Sequence, residues 1–330
     1  MVYCMRYLDE RVWVILNELR PLIDRQHIDI TKWQIKKKLF MRPCEADKDE
    51  TPWENFDSAK DRWYGKDTYY WFRSQFTVPQ SMDGKCIFLK IHTQIEEWDD
   101  GRNPQFLLFI NGKVTQGQDM NHREVRLTDC AKAGETYTLD LQAYTGILHN
   151  EFSLMVTASE TDLALLKLYY DLKAPADAYH YNRMMQGRTK SLIVEALNGA
   201  LNLLDLRTPH SPEFDASVAA AQEYINEHLY KNPELSGHDE IIASSIGHTH
   251  IDVAWWWTVS QTREKTARSF STVLKLMEEY PNYKFMSSQP QLYVFLKERY
   301  PEVYEKVKER VKEGRWIPEG GMWLEADCNL

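Results

Sequence analysis

The stretch Gly247-His248-Thr249-His250-Ile251-Asp252 puts three potential metal ligands into five positions. In extended chain alternate side chains face the same way. His250 and Asp252 can therefore converge on one ion, and imidazole nitrogen with carboxylate oxygen suits zinc. His248 is expected to orient the site from behind rather than to ligate. The competing reading is a polar loop with one histidine buried and hydrogen-bonded. Trp255, Trp256 and Trp257 follow immediately. Trp255, nearest the ligands, would offer an indole face to the C–H surface of a sugar ring. The other two suit packing on a helix face.

The second cluster is Gly320-Gly321-Met322-Trp323-Leu324-Glu325-Ala326-Asp327-Cys328-Asn329. Its adjacent glycines allow the backbone to approach another element closely. Glu325 and Asp327, two residues apart, can face one cleft. Paired carboxylates are the equipment of glycoside hydrolysis, but the working pair flanks the bond from about 5–9 Å apart. Only one of these two is therefore expected to be catalytic, with its partner elsewhere. Cys328 has no histidine near it in sequence and reads as a packing residue. Ser288 and Gln289 end a predicted strand and are candidates to line the same cleft.

Both clusters fall where strands end in a βαβ pattern that begins near Asp239. Strands are predicted over Ile241–Ile246, over Lys284–Ser288 and from Arg315, with helices over Trp256–Tyr280, Pro290–Arg299 and Pro301–Gly314. Helical crossovers make such strands parallel, and active loops of this class sit at the carboxyl ends of the strands. Three strands leave the α/β unit incomplete, so the 330 residues are expected to be part of a longer polypeptide.

Upstream, residues 68–159 are short strand-like runs punctuated by glycine, the pattern of a β-sandwich. Ile110-Asn111-Gly112 predicts a type I′ hairpin turn. Trp98, Asp99, Asp100 and Asn121 are possible sugar contacts there, although turn roles are the stronger expectation. Residues 160–238 return to helical spacing and read as a connector, with Ser211 as an N-cap. Residues 1–67 read as one helix over 8–20 followed by irregular chain. The fold class is thus multidomain α+β, divided 1–67, 68–159, 160–238 and 239–330.

Composition removes several alternatives. With 43% apolar and 27% charged residues, global disorder is excluded. The net charge of −9 and the lack of a basic block argue against nucleic acid as a partner. No run approaches the roughly 18 apolar residues of a membrane span. The amino terminus is cut by Arg6, Asp9, Glu10 and Arg11 and lacks a secretory core. Five cysteines (Cys4, Cys44, Cys86, Cys130, Cys328) without a CxxC pair favour a reducing compartment.

GHTHIDVAWWWT and GRWIPEGGMWLEADCNL, together with KFMSSQPQLYVFLKERYPEVYEKVKERVKEGRW, resemble the family 38 glycoside hydrolases, the class II α-mannosidases. The likeness is greatest to the cytosolic and vacuolar-type branch and is specific over about residues 241–330. FLLFINGKVTQGQDMNHREVRL also resembles that branch's β-rich domain. The resemblance implies a seven-stranded-barrel-like catalytic domain and one Zn2+ per site, held by His250, Asp252 and Asp327. It makes Asp327 the nucleophile and puts Trp255 under the bound mannose. His248 and Glu325 are left as outer supports. A further histidine ligand and the general acid/base carboxylate are expected beyond Leu330.

The implied reaction is retaining, zinc-dependent hydrolysis of terminal α-D-mannosyl residues of oligosaccharides. A mannose-containing oligosaccharide is then the partner, neither nucleic acid nor membrane is, and a homo-oligomer stays open. Location is expected to be cytoplasmic, with delivery to a vacuole or lysosome without a signal peptide as the alternative. The 330 residues alone are expected to be inactive and to bind zinc weakly. Competing readings are a metal-dependent sugar deacetylase and a noncatalytic carbohydrate-binding or assembly protein, which would not need Asp327.

Overall fold

The computed structural model describes residues 2–93, 104–181, 187–235, 244–255, 257–320 and 322–325, with side chains from residue 7 onward except residue 9. The chain is mixed α and β with several sheets, and it divides into two units interleaved in sequence. One comprises residues 1–27, 85–87 and 159–243; the other comprises 28–84, 88–158 and 244–330.

The first unit is built on helices Val2–Leu19, Leu163–Tyr181, Arg188–Leu201 and Pro212–Ile225. Val12, Leu16 and Leu19 recur at helical spacing and are buried with Leu168, Leu172, Leu197 and Phe214 in one core. Arg25 ties the unit together through Asp162 and Asp215, each at 2.6 Å. The Ser211 hydroxyl accepts from the Phe214 N–H at 3.1 Å, the cap its sequence predicts. The 160–238 segment is therefore not a connector. Its apolar stripe is covered by the first 27 residues, a partner that local periodicity does not reveal.

In the second unit a six-stranded antiparallel sheet runs in the order Glu54–Asp57, Lys32–Lys36, Tyr69–Thr77, Thr136–Tyr144, Gln105–Ile110, Lys113–Gln118. Four further strands (Asp24–Asp29, Met155–Thr161, Ile87–His92, Glu124–Thr128) form another sheet in that order. Strand structure thus begins well before residue 68, and the span from residue 28 to 67 is not simply irregular. Its strands are only three to six residues long, too short for alternation to stand out. The predicted hairpin joins Gln105–Ile110 to Lys113–Gln118, with Asn111 at φ 50 and Gly112 at φ 77.

The six-stranded sheet is buried on both faces. Trp71, Leu107 and Phe109 point one way, into a core shared with Phe270 and Leu274 of the Val259–Glu279 helix. Phe72 and Phe106 point the other way and close on Trp63, with ring centroids 5.3 and 5.8 Å from it. That is why QFLLFI reads as an unbroken apolar run rather than an alternating one.

Gly117 lets the helix sit directly on the Lys113–Gln118 strand. A Cβ there would lie 2.6 Å from the Arg268 carbonyl oxygen and 2.7 Å from its Cα. Because both are backbone atoms, Gly117→Ala should push helix and strand apart. The expected cost is about 1–3 kcal/mol, read as a lower denaturant midpoint.

The helix Val259–Glu279 starts with a capping box, Thr258 with Gln261. It belongs to a three-stranded parallel sheet, Gly247–His248, Phe285–Met286, Trp316–Ile317, whose other helices are Pro290–Arg299 and Pro301–Lys312. Among the described residues the first strand is Gly247–His248; of the predicted Ile241–Ile246, residues 244–246 carry no strand and 241–243 lie outside the described set.

Candidate metal centre

His248 ends the first parallel strand, and its Nδ1 lies 2.9 Å from the Met286 carbonyl oxygen of the second. A carbonyl only accepts, so Nδ1 carries the proton and Nε2 presents a lone pair. No helix or turn interrupts the next four residues. Ile251 is wholly buried, which turns its neighbours His250 and Asp252 outward together. The Gln289 amide fixes that stretch by donating to the Ile251 carbonyl at 2.9 Å. Trp257 fixes its far end, donating from Nε1 to the Asp252 carbonyl at 3.1 Å.

His250 lies between two carboxylates. Its Nε2 is 2.9 Å from Asp252 Oδ1, and its Nδ1 is 2.5 Å from Glu325 Oε2. The hydrogen bond to Asp252 is the chief cause that holds the imidazole above its ordinary pKa; partial burial opposes it and Glu325 adds to it. A protonated ring would donate to both acids. With an ion, one ring nitrogen must give up its proton.

Glu325 reaches this position because Gly320 permits it. Gly320 has φ 158, and a Cβ there would lie 2.7 Å from the Ser288 carbonyl oxygen. The close approach expected of the glycine pair is thus made to the end of the second strand. Ser288 Oγ in turn donates to Glu325 Oε1. One ligand atom each from His248, His250 and Glu325 lie within 4.8 Å of one another, all three residues being exposed. Two imidazoles and one carboxylate, with the Asp252 carboxylate against His250, offer nitrogen and oxygen donors of the kind that suit zinc.

The structure therefore brings together His248, His250 and Glu325, with Asp252 in contact with His250. The two residues expected only as outer supports, His248 and Glu325, stand as near to His250 as possible ligands would. Asp327 and Cys328 lie outside the described residues, as do Trp256, Trp98, Asp99 and Asp100. Asn121 serves a turn, its N–H donating to Asp119 Oδ1 at 2.8 Å.

Trp255 and Trp257 separate cleanly. Trp255 is 66% exposed. Trp257 is half-buried, hydrogen-bonded to Asp252 and Thr262, and carries the Lys265 ammonium 4.5 Å from its ring centroid.

Residues 240–330 match the family model described as the glycosyl hydrolases family 38 N-terminal domain. Alpha-mannosidase G of Dictyostelium discoideum is 29% identical over 284 residues, covering 80% of this chain and 24% of that protein. Alpha-mannosidase 2C1 of Homo sapiens is 28% identical over 282 residues, covering 79% and 25%. Alpha-mannosidase of Saccharomyces cerevisiae is 32% identical over 142 residues, covering 40% and 13%. The chain spans about a quarter of the length of the first of these relatives.

Residues 240–330 are thus similar to a glycoside hydrolase domain, that of glycosyl hydrolase family 38, and a longer stretch of the chain is similar to alpha-mannosidases.

Proposed function

We propose that this chain supplies the metal-binding and nucleophile-bearing part of a retaining, zinc-dependent α-mannosidase that removes terminal α-D-mannosyl residues from oligosaccharides. The observation that carries the reading is the convergence of His250 Nε2 and Asp252 Oδ1, 2.9 Å apart, at the carboxyl edge of the parallel sheet. It lies inside the segment that matches the family 38 domain.

His250 and Asp252 would hold the ion, with Asp327 as a further ligand. Bound zinc would supply electrostatic fixation of the sugar's hydroxyl oxygens and stabilise charge at the reacting ring. Glu325 accepts the Nδ1 proton of His250, which would leave Nε2 to hold the ion. His248, its Nδ1 proton committed to Met286, keeps Nε2 as an acceptor at the same edge. Trp255 offers its exposed face to the C–H surface of the mannosyl ring.

Asp327 acts as the nucleophile. Its carboxylate oxygen bonds to the anomeric carbon as the glycosidic bond breaks. The departing oxygen takes a proton from a carboxylic acid expected beyond Leu330. That group then deprotonates the water that releases mannose with retained configuration. A cytoplasmic setting accords with a sequence of five cysteines that carries no CxxC pair. Among the described residues no helix is long and apolar enough to cross a membrane.

The test is an assay of the complete polypeptide against a panel of aryl glycosides, before and after zinc removal. Turnover confined mainly to α-mannoside, lost on chelation and restored by zinc, is the expected result. A folded, zinc-loaded protein that leaves α-mannosides intact would reject the reading. Release of acetate from an acetylated sugar would favour a deacetylase instead.

A further inference from the structure

A groove of about 200 Å³ is lined on one side by the Val259–Glu279 helix and on the other by Gln105, Gly117, Asp119 and His122 of the six-stranded sheet and the turn that follows it. We propose that it binds a small organic phosphate, with the phosphate group at Lys265 and Arg268 and the organic body against Val273 and Leu276. This site stands independently of the mannosidase reading.

The first argument is the order of residues along the helix. Lys265, Arg268, Ser269, Thr272, Val273 and Leu276 all line the groove, and their spacing of three and one is that of a single helix face. A rise of about 1.5 Å per residue sets Arg268 and Leu276 about 12 Å apart along the axis. The groove therefore has a cationic end and an apolar end. Tyr283, beyond the end of the helix, lengthens the apolar end. Gly247 makes room for it, since a Cβ there would lie 2.1 Å from the Tyr283 hydroxyl.

The second argument is charge. Arg268 Nη2 donates to Gln105 Oε1, the one hydrogen bond of this guanidinium among the described residues. Of its five N–H donors, others are left for a ligand. Burial pulls the guanidinium below its ordinary pKa, while Glu264 and Asp119 oppose that shift. Both acids have other partners. Glu264 lies 3.6 Å from Arg299. Asp119 Oδ1 accepts from the N–H groups of Asn121 and His122 at 2.8 and 2.9 Å. An anion in the groove would supply the charge that Arg268 lacks. A guanidinium fork beside a lysine point charge suits the several oxygens of a phosphate better than the two of a carboxylate.

The third argument is that the walls are set beforehand. Thr272 Oγ1 donates to the Gly117 carbonyl at 3.1 Å, and the close approach of Gly117 to Arg268 seats helix on strand. A site with its spacing fixed in advance loses less on binding. Its volume far exceeds the ~10–15 Å³ that one water needs.

The experiment titrates the complete protein calorimetrically with glucose 6-phosphate, inorganic phosphate and glucose, with zinc bound and with zinc removed. Glucose 6-phosphate should bind more tightly than about 1 mM, in both states alike. Inorganic phosphate, which covers no apolar surface, should bind about tenfold more weakly, and glucose should show no binding. Lys265→Gln should weaken glucose 6-phosphate about tenfold, the loss of one charge-assisted hydrogen bond. Arg268→Lys, which keeps the charge and loses the fork, should weaken it by a similar factor. Lys265 is only half-buried, and an unchanged denaturant midpoint shows that its variant is folded. No binding of glucose 6-phosphate tighter than about 1 mM would overturn the proposal. So would binding that disappears with zinc, which would put the phosphate at the metal. Equal affinity for inorganic phosphate would remove the organic body, and unchanged affinity in folded Lys265→Gln would remove the anion site.

Discussion

His250→Ala in the complete polypeptide should abolish stoichiometric zinc binding and lower kcat/KM for an aryl α-mannoside by about a thousandfold or more. The size follows from what the ring does. Among the described residues it is the one side chain in contact with both Asp252 and Glu325, so its removal leaves two carboxylates without the nitrogen that joins them. A metal that stabilises a transition state by several kcal/mol accounts for three powers of ten at about 1.4 kcal/mol each. Glu325→Gln should be milder. It keeps a polar group beside Nδ1 but loses the charge, and outer-partner changes of this kind weaken metal affinity about 10- to 100-fold. Zinc titration with a competing chelator orders the two variants. Tight zinc retained in His250→Ala would place the ion elsewhere. A Glu325→Gln loss as complete as that of His250→Ala would make Glu325 a direct ligand.

The second large effect is on stability. Trp316 is 1% exposed and packs against Phe285 and Phe270, with ring centroids 4.7 and 4.9 Å away. Its Nε1 donates to the Tyr293 hydroxyl at 2.8 Å. Trp316→Ala should therefore cost about 3–5 kcal/mol through lost burial and the cavity left behind. Domains commonly have only about 5–15 kcal/mol in total. Trp316→Phe should recover much of the loss, and denaturant midpoints measure both. The effect extends to the site because Phe285 pairs with Trp316 and Met286 with Ile317 in parallel register. Met286 also carries the carbonyl that orients His248. Saturating zinc should consequently raise the midpoint of the variant. A midpoint within 1 kcal/mol of the unaltered protein would remove Trp316 from this supporting role.

What could be read from the sequence was what lies within a few residues. His250 and Asp252 share a face because a buried Ile251 separates them, a relation visible in the letters alone. The two glycines near residue 320 announced a close approach, although not that Ser288 would be met. The pairing of Glu325 with His250 spans 75 residues and two crossovers, and no local pattern carries it. The helical region after residue 160 was misread for the same reason, since its partner is the first 27 residues. Short strands between residues 24 and 65 were hidden by their brevity.

The interleaving of the two units has a consequence for synthesis on the ribosome. The first helix exposes Val12, Leu16 and Leu19, yet their packing partners include Leu168, Leu197 and Phe214. At about 5–20 residues per second, elongation leaves that stripe without its native cover for roughly 10–40 s. During that interval the nascent chain carries an amphipathic helix that any passing apolar surface can capture. Holding that helix in trust until its partners emerge is a natural task for a ribosome-associated chaperone.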